Sequence, residues 1–208
     1  MRAPRPSVRF LRKRTEQYHV CVGAPGIARS DRRRFAASVL DALLGGSASS
    51  RLFQEIREKR GMAYSVYTFA SQYTDSGLIG FYVGTRSENL ADCLEIANEQ
   101  IAEVAEGGLR KDEVERAKEN LKGRILLSLE STSARMTRLG KSLITATPLL
   151  TPEEVVKRLE AVTATEVAEL ADALLTPDRL SVAAIGPDED RFAEAVERVN
   201  PALLEKAA

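Results

Sequence analysis

The hydrophobic and polar positions of the chain follow two periods in turn, and their order predicts strands and helices. In residues 15–23, apolar side chains alternate with polar ones, which is typical of a half-buried strand. In residues 31–44, apolar side chains recur every three or four positions, which indicates an amphipathic helix. We expect that helix to end at Gly45-Gly46, because glycine readily terminates helices.

Beyond residue 50 the pattern predicts one hairpin and then a series of helices. Two segments with strand periodicity, 64–73 and 78–85, are joined by Thr74-Asp75-Ser76-Gly77, which has hairpin-turn chemistry. The order of elements predicts an α+β fold in which an antiparallel sheet is layered with several long helices. The predicted helices span 50–60, 87–106, 111–129, 133–145, 152–160, 164–175 and 191–199, with a last strand at 179–185.

Charge and composition narrow the choice of partners. The 208 residues include 30 basic and 30 acidic side chains, so the balance gives no reason to expect nucleic acid or an anionic membrane as partner. No run of about 18 apolar residues and no signal-peptide core is found, so we expect no membrane span and a cytoplasmic location. Cys21 and Cys93 lie within apolar patterns and are interpreted as reduced, buried thiols.

The first 14 residues form a basic segment with little apolar pattern. A nucleic-acid arm or a transit peptide would also be basic, but we interpret residues 1–14 as the flexible remnant of a linker. Residues 15–208 are then expected to form a single α+β domain. The basic side chains of the segment are Arg2, Arg5, Arg9, Arg12, Lys13 and Arg14.

Three kinds of chemical site are weighed from the residues alone, and none is favoured. The chain has one histidine, His19, so a metal site would need Cys21 and Cys93 as well, and buried packing is the interpretation we favour. The segment Gly45-Gly-Ser-Ala-Ser49 lacks the last glycine of a nucleophile elbow, and His19 is its only possible base. Gly140-Lys141-Ser142 lacks the first glycine of a phosphate loop. We therefore predict no catalytic residue and no metal ligand in this chain.

One segment carries the most specific pattern in the chain. It reads Ser50-Arg-Leu-Phe-Gln-Glu-Ile-Arg57-Glu-Lys-Arg-Gly-Met-Ala-Tyr64-Ser-Val-Tyr67. Helical spacing stops at Gly61, and a period-two pattern begins directly afterwards. An arginine and a tyrosine seven positions apart, Arg57 and Tyr64, thus flank one helix-to-strand corner.

This corner resembles the corresponding segment of a known protein family. The resemblance extends to the loop Gly45-Gly46-Ser47 before the corner, the strand 78–85 after it and the helical segment 121–140. The corner is similar to the second, C-terminal half-domain of the pitrilysin/insulinase family of zinc metallopeptidases, which includes mitochondrial processing peptidase. The resemblance covers about residues 15–191. It implies an antiparallel sheet covered by long helices. It also implies that zinc is held by an inverted His-x-x-Glu-His helix in a partner half, because this chain lacks that motif.

The resemblance further implies a role for the arginine and tyrosine. In the family such a pair lies across a cleft from the zinc, binds a peptide carbonyl and stabilises the oxyanion formed during hydrolysis. We extend the expected cleft lining to Gly45, Gly46, Ser47, Ser65 and Tyr67. The plainer alternative is that Arg57 forms a surface ion pair with Glu55, Glu58 or Asp75 while Tyr64 simply opens a strand.

From the sequence we therefore expect the substrate-binding, non-catalytic half of a bacterial zinc metalloendopeptidase. The two halves would enclose a peptide or an unfolded protein as a clamshell, and this chain would not be active alone. The expected partners are a peptide substrate and a zinc-bearing half-domain, in the same polypeptide or as a separate subunit. The alternative is a structural or assembly subunit of the same fold without a proteolytic role.

Overall fold

The protein is a five-stranded sheet with helices packed on one face, as described by a computed structural model for residues 5–200 and residue 203. The α+β fold predicted from the sequence is confirmed. The strands are β1 Val8–Arg12, β2 Tyr18–Pro25, β3 Ala63–Gln72, β4 Gly77–Thr85 and β5 Ser181–Gly186. The α-helices are α1 Arg34–Leu44, α2 Leu90–Ala105, α3 Lys111–Ser128, α4 Thr132–Ile144, α5 Pro152–Glu160, α6 Ala164–Leu175 and α7 Glu189–Val199. A π-helix, Phe53–Glu58, and two short 3₁₀ helices, Ser87–Asn89 and Pro177–Arg179, complete the described elements.

The strands lie in the order β1-β5-β2-β4-β3. Three of the four pairings, β2 with β4, β2 with β5 and β3 with β4, are antiparallel, as the sequence predicts. The pairing of β1 with β5 is parallel, so the sheet is mixed at that edge. At the opposite edge lies β3, the strand that carries Tyr64.

The interpretation of residues 1–14 as a linker is wrong for Val8–Arg12, which forms an edge strand of the sheet. Residues 1–4 lie outside the described part of the chain. Val8 and Phe10 are half-buried, and the Phe10 ring stacks on Phe192 of α7 with their centres 5.0 Å apart. The alternation is masked in the sequence because the outward positions hold Arg9 and the apolar Leu11, while Arg12 follows Val8 and Phe10 in the inward register. Such charges are typical of edge strands, which they protect from pairing with another molecule.

The core lies between the inner face of the sheet and the helices. Every second residue of β2, starting at Tyr18, is buried there, whereas the residues between them face outward. Cys93 is buried as expected, and burial raises the pKa of its thiol. The expectation for Cys21 is wrong, because it occupies an outward position of β2 and is exposed. The largest fully buried side chains include Tyr18, Leu40, Leu44, Leu52, Ile56, Leu90, Leu170 and Phe192.

None of the helices within residues 5–200 combines the length and the apolar character needed to cross a bilayer.

Because Leu40 is fully buried in α1, we predict that Leu40→Ala lowers the free energy of unfolding by about 2–5 kcal/mol through lost burial and the cavity left behind. Urea denaturation of both proteins measures the difference. The matched control is Leu143→Ala in α4, where the side chain is 82% exposed and the expected change is within about 0.5 kcal/mol. Equal effects of the two substitutions would contradict the position of α1 in the core.

Candidate functional site

The site begins at the π-helix Phe53–Glu58, which carries Arg57. Its wider turn is visible in the hydrogen bond from the Lys59 backbone N–H to the Gln54 carbonyl, five residues back, at 2.9 Å. Single π-helical turns occur frequently at functional positions. The helix is followed by Gly61, whose φ of +61° lies in the left-handed region that glycine adopts without steric cost. This turn directs the chain into β3.

The corner between the π-helix and β3 is fixed through one backbone carbonyl, that of Met62. It accepts hydrogen bonds from Thr85 Oγ1 at 2.6 Å and from Asn89 Nδ2 at 3.3 Å. Thr85 ends β4 and is fully buried, and Asn89 lies directly before α2. The corner is therefore held by two neighbouring elements as well as by its own backbone.

Tyr64 occupies an irregularity in the pairing of β3 with β4. Ala63 lies opposite Thr85 and Ser65 lies opposite Gly84, so Tyr64 has no partner residue on the neighbouring strand. Such a bulge re-aims the side chain of the extra residue. The Tyr64 side chain is 77% exposed, although the residue lies at the start of a strand.

Arg57 and Tyr64 come together at this corner. The central carbon of the Arg57 guanidinium lies 4.9 Å from the centre of the Tyr64 ring and 4.7 Å from the centre of the Phe53 ring. Both contacts are within the range of cation–π attraction. They orient the guanidinium through the ring faces and leave its N–H groups free to bind another group.

The ion pairs proposed as the plainer alternative account for little of this arrangement. Arg57 Nε lies 3.8 Å from Glu58 Oε1, a long contact between exposed groups that contributes little. Glu55 is instead bound by Lys59 and Arg60, and Asp75 accepts a hydrogen bond from Ser76. Within residues 5–200 the Arg57 guanidinium donates no hydrogen bond to a protein acceptor.

The loop Gly45-Gly46-Ser47 packs against the middle of β3. A Cβ atom on Gly45 would lie 2.5 Å from the Thr68 backbone nitrogen, so only glycine fits this close approach. The Thr68 hydroxyl also donates to the Asp41 carbonyl of α1 at 2.9 Å. The loop thus sets the distance between α1 and β3, and its role in lining a cleft remains a prediction.

Ser65 and Tyr67 face the side of the sheet that carries no helices. Since Thr68 points toward α1, its neighbour Tyr67 points away, and its ring stacks on Tyr82 with the centres 4.9 Å apart. His19 Nδ1 lies 2.7 Å from the Tyr82 hydroxyl oxygen, which extends the aromatic row. The structure therefore separates these residues from the Gly45 loop by the thickness of the sheet.

A buried ion pair that the sequence did not indicate supports the start of the π-helix. Arg51 Nε lies 3.0 Å from Glu113 Oε2, and Arg51 Nη2 lies 2.6 Å from Glu113 Oε1. Nη2 also donates to the Gly108 carbonyl at 2.5 Å, and Nη1 lies 2.9 Å from Glu103 Oε2. The Arg51 and Glu113 side chains are only 8% and 7% exposed. This bidentate pair ties the turn before Phe53 to the end of α2 and the start of α3.

The charge of Glu113 is maintained by its donors. Burial alone would raise the pKa of its carboxyl, but the Arg51 hydrogen bonds and the Arg110 backbone N–H, at 2.8 Å, hold that pKa below its usual value. Glu113 thereby also completes the cap of α3.

Sequence reasoning missed two members of this site. Phe53 is not among the site residues expected from the sequence, although its spacing of four residues from Arg57 indicates that the two side chains share a helix face. Arg51 carries no local signal, because Glu113 lies 62 residues away along the chain.

The residues present do not fit a zinc site. Among residues 5–200 no group of three or more His, Cys, Asp or Glu side chains is placed to hold a metal ion. His19 is the chain's one histidine, and its Nδ1 is hydrogen-bonded to Tyr82.

Comparison with protein families and curated proteins gives consistent results. A family described as the peptidase M16 inactive domain matches residues 2–121. A protein of Streptomyces coelicolor named an uncharacterized zinc protease is 44% identical over 186 residues, which are 89% of this chain and 40% of that protein. A Bacillus subtilis protein of the same description, YmxG, is 41% identical over 85% of this chain and 43% of its own length. The chain thus spans about two fifths of these relatives.

Solved structures share the fold. The crystal structure of a peptidase M16 inactive domain from Pseudomonas fluorescens superposes with a TM-score of 0.80 at 26% identity, over 90% of this chain and 45% of that one. A chain of respiratory complex III from Candida albicans gives a TM-score of 0.81 over 94% of this chain and 49% of that one. At 15% identity, the second likeness concerns the fold alone.

We predict that Arg51→Ala lowers the free energy of unfolding by about 3–5 kcal/mol, because it leaves the Glu113 carboxylate buried without its partner. Urea denaturation followed by circular dichroism measures the change. Arg57→Ala is the matched control, since it removes an arginine six positions away that is 36% exposed and is expected to cost less than about 1 kcal/mol. Equal losses of unfolding free energy in the two variants would show that the buried Arg51 contacts contribute no more to stability than the contacts of Arg57.

The lowered pKa of Glu113 also predicts a pH dependence. A carboxyl whose pKa is lower in the folded protein contributes stability above its unfolded value of about 4.5 and loses that contribution as the pH falls through the folded value. The difference in unfolding free energy between the native protein and Glu113→Gln should therefore be constant between about pH 7 and 5 and narrow below about 4.5. Urea denaturation across this range tests it, with Glu169→Gln on an exposed position of α6 as control. A difference that stays unchanged to the acid limit of folding would refute the ionised pair.

Proposed function

Since the chain belongs to the M16 peptidase family, the pitrilysin/insulinase family that its sequence resembles, we propose that it is the substrate-binding, non-catalytic half of a zinc metalloendopeptidase. The matching region is the domain that the family describes as inactive, which confirms the half predicted from the sequence. Its curated relatives are zinc proteases by name and are about twice its length. The zinc-bearing half would be the remainder of such a polypeptide or a separate subunit.

The observation that carries this proposal is the contact between Arg57 and Tyr64. The guanidinium is held by two aromatic rings while its N–H donors remain uncommitted within the described residues. The phenol next to it is exposed and supplies a neutral O–H donor. Two such donors side by side suit a carbonyl oxygen that becomes negative when the carbonyl carbon is attacked.

Neither donor generates a nucleophile. Activation of water needs a base or a metal, and the described residues provide no metal-binding group of side chains. In our proposal the two halves therefore have different roles. The partner half supplies zinc and its water, and this chain binds the peptide carbonyl and stabilises the charge that forms on it. A closed clamshell would exclude water and strengthen both contributions.

A structural or assembly subunit without proteolytic role is the alternative. The likeness to a chain of respiratory complex III is compatible with it but concerns the fold alone. The uncommitted donors on Arg57 and the bulge that exposes Tyr64 favour the proteolytic role. A purely structural subunit has no use for either feature.

We predict that Arg57→Ala and Tyr64→Phe each lower kcat for peptide hydrolysis by about 10² to 10³, because each removes a donor to the oxyanion. The assay combines the 208-residue chain with a zinc-bearing M16 half, either fused or mixed, and follows cleavage of a fluorogenic peptide.

Tyr73→Phe is the control, because it removes an exposed phenol just beyond the far end of β3. Unfolding midpoints of all variants ensure that losses of activity do not reflect loss of the fold. Normal turnover by both Arg57→Ala and Tyr64→Phe would exclude the oxyanion role. Full activity of this chain without a partner half would exclude the proposed division of labour.

A further inference from the structure

A second cluster of arginines lines a cavity away from the corner. The cavity, of about 340 Å³, lies between the start of α1, the end of β3, the end of α3, and α4 with the loop after it. Three arginines line it: Arg29 before α1, Arg34 at the first turn of α1, and Arg138 in the middle of α4. We call this cavity the arginine pocket.

The positive charge of the arginine pocket is not neutralised within the described residues. None of its three guanidinium groups has a carboxylate oxygen within 4.0 Å among residues 5–200, although many other arginines of the chain do. Arg34 donates to the Arg29 carbonyl at 3.1 Å, and Arg138 donates to the Leu150 carbonyl. Those bonds orient the two guanidinium groups but cancel no charge.

Arg29 is the least satisfied of the three. Its Nε atom is buried and has no hydrogen-bond partner. A buried donor without an acceptor is unfavourable, so the site gains free energy when an acceptor enters. Its backbone N–H donates to the carbonyl of Tyr73 at 2.8 Å, which anchors the residue at the end of β3.

The Arg34 guanidinium is partly buried and lies near other positive charges. Burial, and then the charges of Arg29 and Arg158, lower the pKa of its guanidinium. The acidic group that responds to this cluster is Glu153, whose pKa is lowered chiefly by hydrogen bonds and to a lesser degree by the charge of Arg138. Glu153 does not line the cavity. Positive charge is therefore concentrated where carboxylates are lacking.

The walls of the pocket suit a small oxyanion on a chain. The hydroxyls of Ser38, Ser142 and Thr147 line it together with the arginines, and Ser142 and Thr147 are buried. Phe35 supplies an apolar wall over which the Arg34 guanidinium lies, 4.9 Å from the ring centre. Guanidinium groups bind carboxylate or phosphate oxygens in pairs, and apolar walls strengthen that attraction by excluding water.

From this arrangement we infer that the arginine pocket binds an acidic side chain, aspartate or glutamate, of the peptide substrate. The inference rests on the proposed function. Its link to the corner is β3, since Tyr64 lies near the start of that strand and Gln72, its last residue, lines the pocket. The eight residue steps from Tyr64 to Gln72 span about 26 Å at ~3.3 Å per residue, the length of an extended peptide of about eight residues. The pocket would thus select peptides with a negative charge about that far from the cleaved bond.

The test measures binding of two fluorescent peptides to the isolated 208-residue chain by anisotropy. The peptides share one sequence and differ only in carrying Glu or Gln at a terminal position with the end groups blocked. We expect the Glu peptide to bind about tenfold or more tightly, as a charged hydrogen-bonded pair allows. Arg29→Gln should abolish that preference. Arg191→Gln, which changes the net charge equally on the exposed start of α7, should retain it.

Several outcomes would overturn the inference. Equal affinity of the two peptides would do so, and so would a Glu preference that survives Arg29→Gln. Saturable binding of inorganic phosphate without any preference for the Glu peptide would assign the pocket to small anions. Failure of the chain to bind either peptide or phosphate would also refute it, while the cleavage assay with Arg57→Ala would still decide the proposed function separately.

Discussion

The bidentate contact between Arg51 and Glu113 is the interaction on which the geometry of the candidate site depends. It lies at the point where the turn before Phe53 meets the helices α2 and α3, and its two side chains are almost completely buried. A buried ion pair adds little net stability compared with apolar residues of similar size. The ion pair instead fixes orientation. Its two parallel hydrogen bonds from N–H groups to carboxylate oxygens permit one orientation of the arginine and thus one position of the helix that follows. Arg57 is carried on that helix.

Arginine serves three physically different purposes in this protein. Arg51 is buried and matched by a carboxylate, so it holds the structure in place. Arg57 is half-exposed and held by ring faces, so its direction is set while its donors remain available. Two of the three arginines of the pocket, Arg34 and Arg138, are oriented by backbone carbonyls, and none of the three is matched by a carboxylate in the described part of the chain. Only the second and third arrangements leave positive charge available, and only these two suit the binding of a ligand.

The sequence predicts elements whose signals are local. The Thr151 and Thr163 capping boxes mark the starts of α5 and α6, and both boxes form as the spacing indicates. The proximity of Arg57 and Tyr64 was also predictable, because Gly61 forces a turn between them. Features set by distant residues were not. The pairing of β1 with β5 depends on a strand about 170 positions later, and the exposed Leu11 and the terminal Arg12 mask the alternation of β1. The π-helix has the same apolar spacing as an ordinary helix, and the bulge at Tyr64 appears only once β4 is placed opposite.

The chemistry proposed for the corner requires the corner to be rigid. Donors that stabilise an oxyanion are effective when they are already in place, since small displacements of catalytic groups are costly. In a two-half peptidase the oxyanion donors lie on one half and the attacking water on the other. A displaced group on one half is therefore not corrected by the other half. The corner here is fixed from three directions: by Arg51 at the start of the helix, by the Thr85 and Asn89 side chains at the Met62 carbonyl, and by the pairing of β3 with β4. In the proposed two-half peptidase, the mobility needed to admit a peptide is then expected between the halves and not within this one.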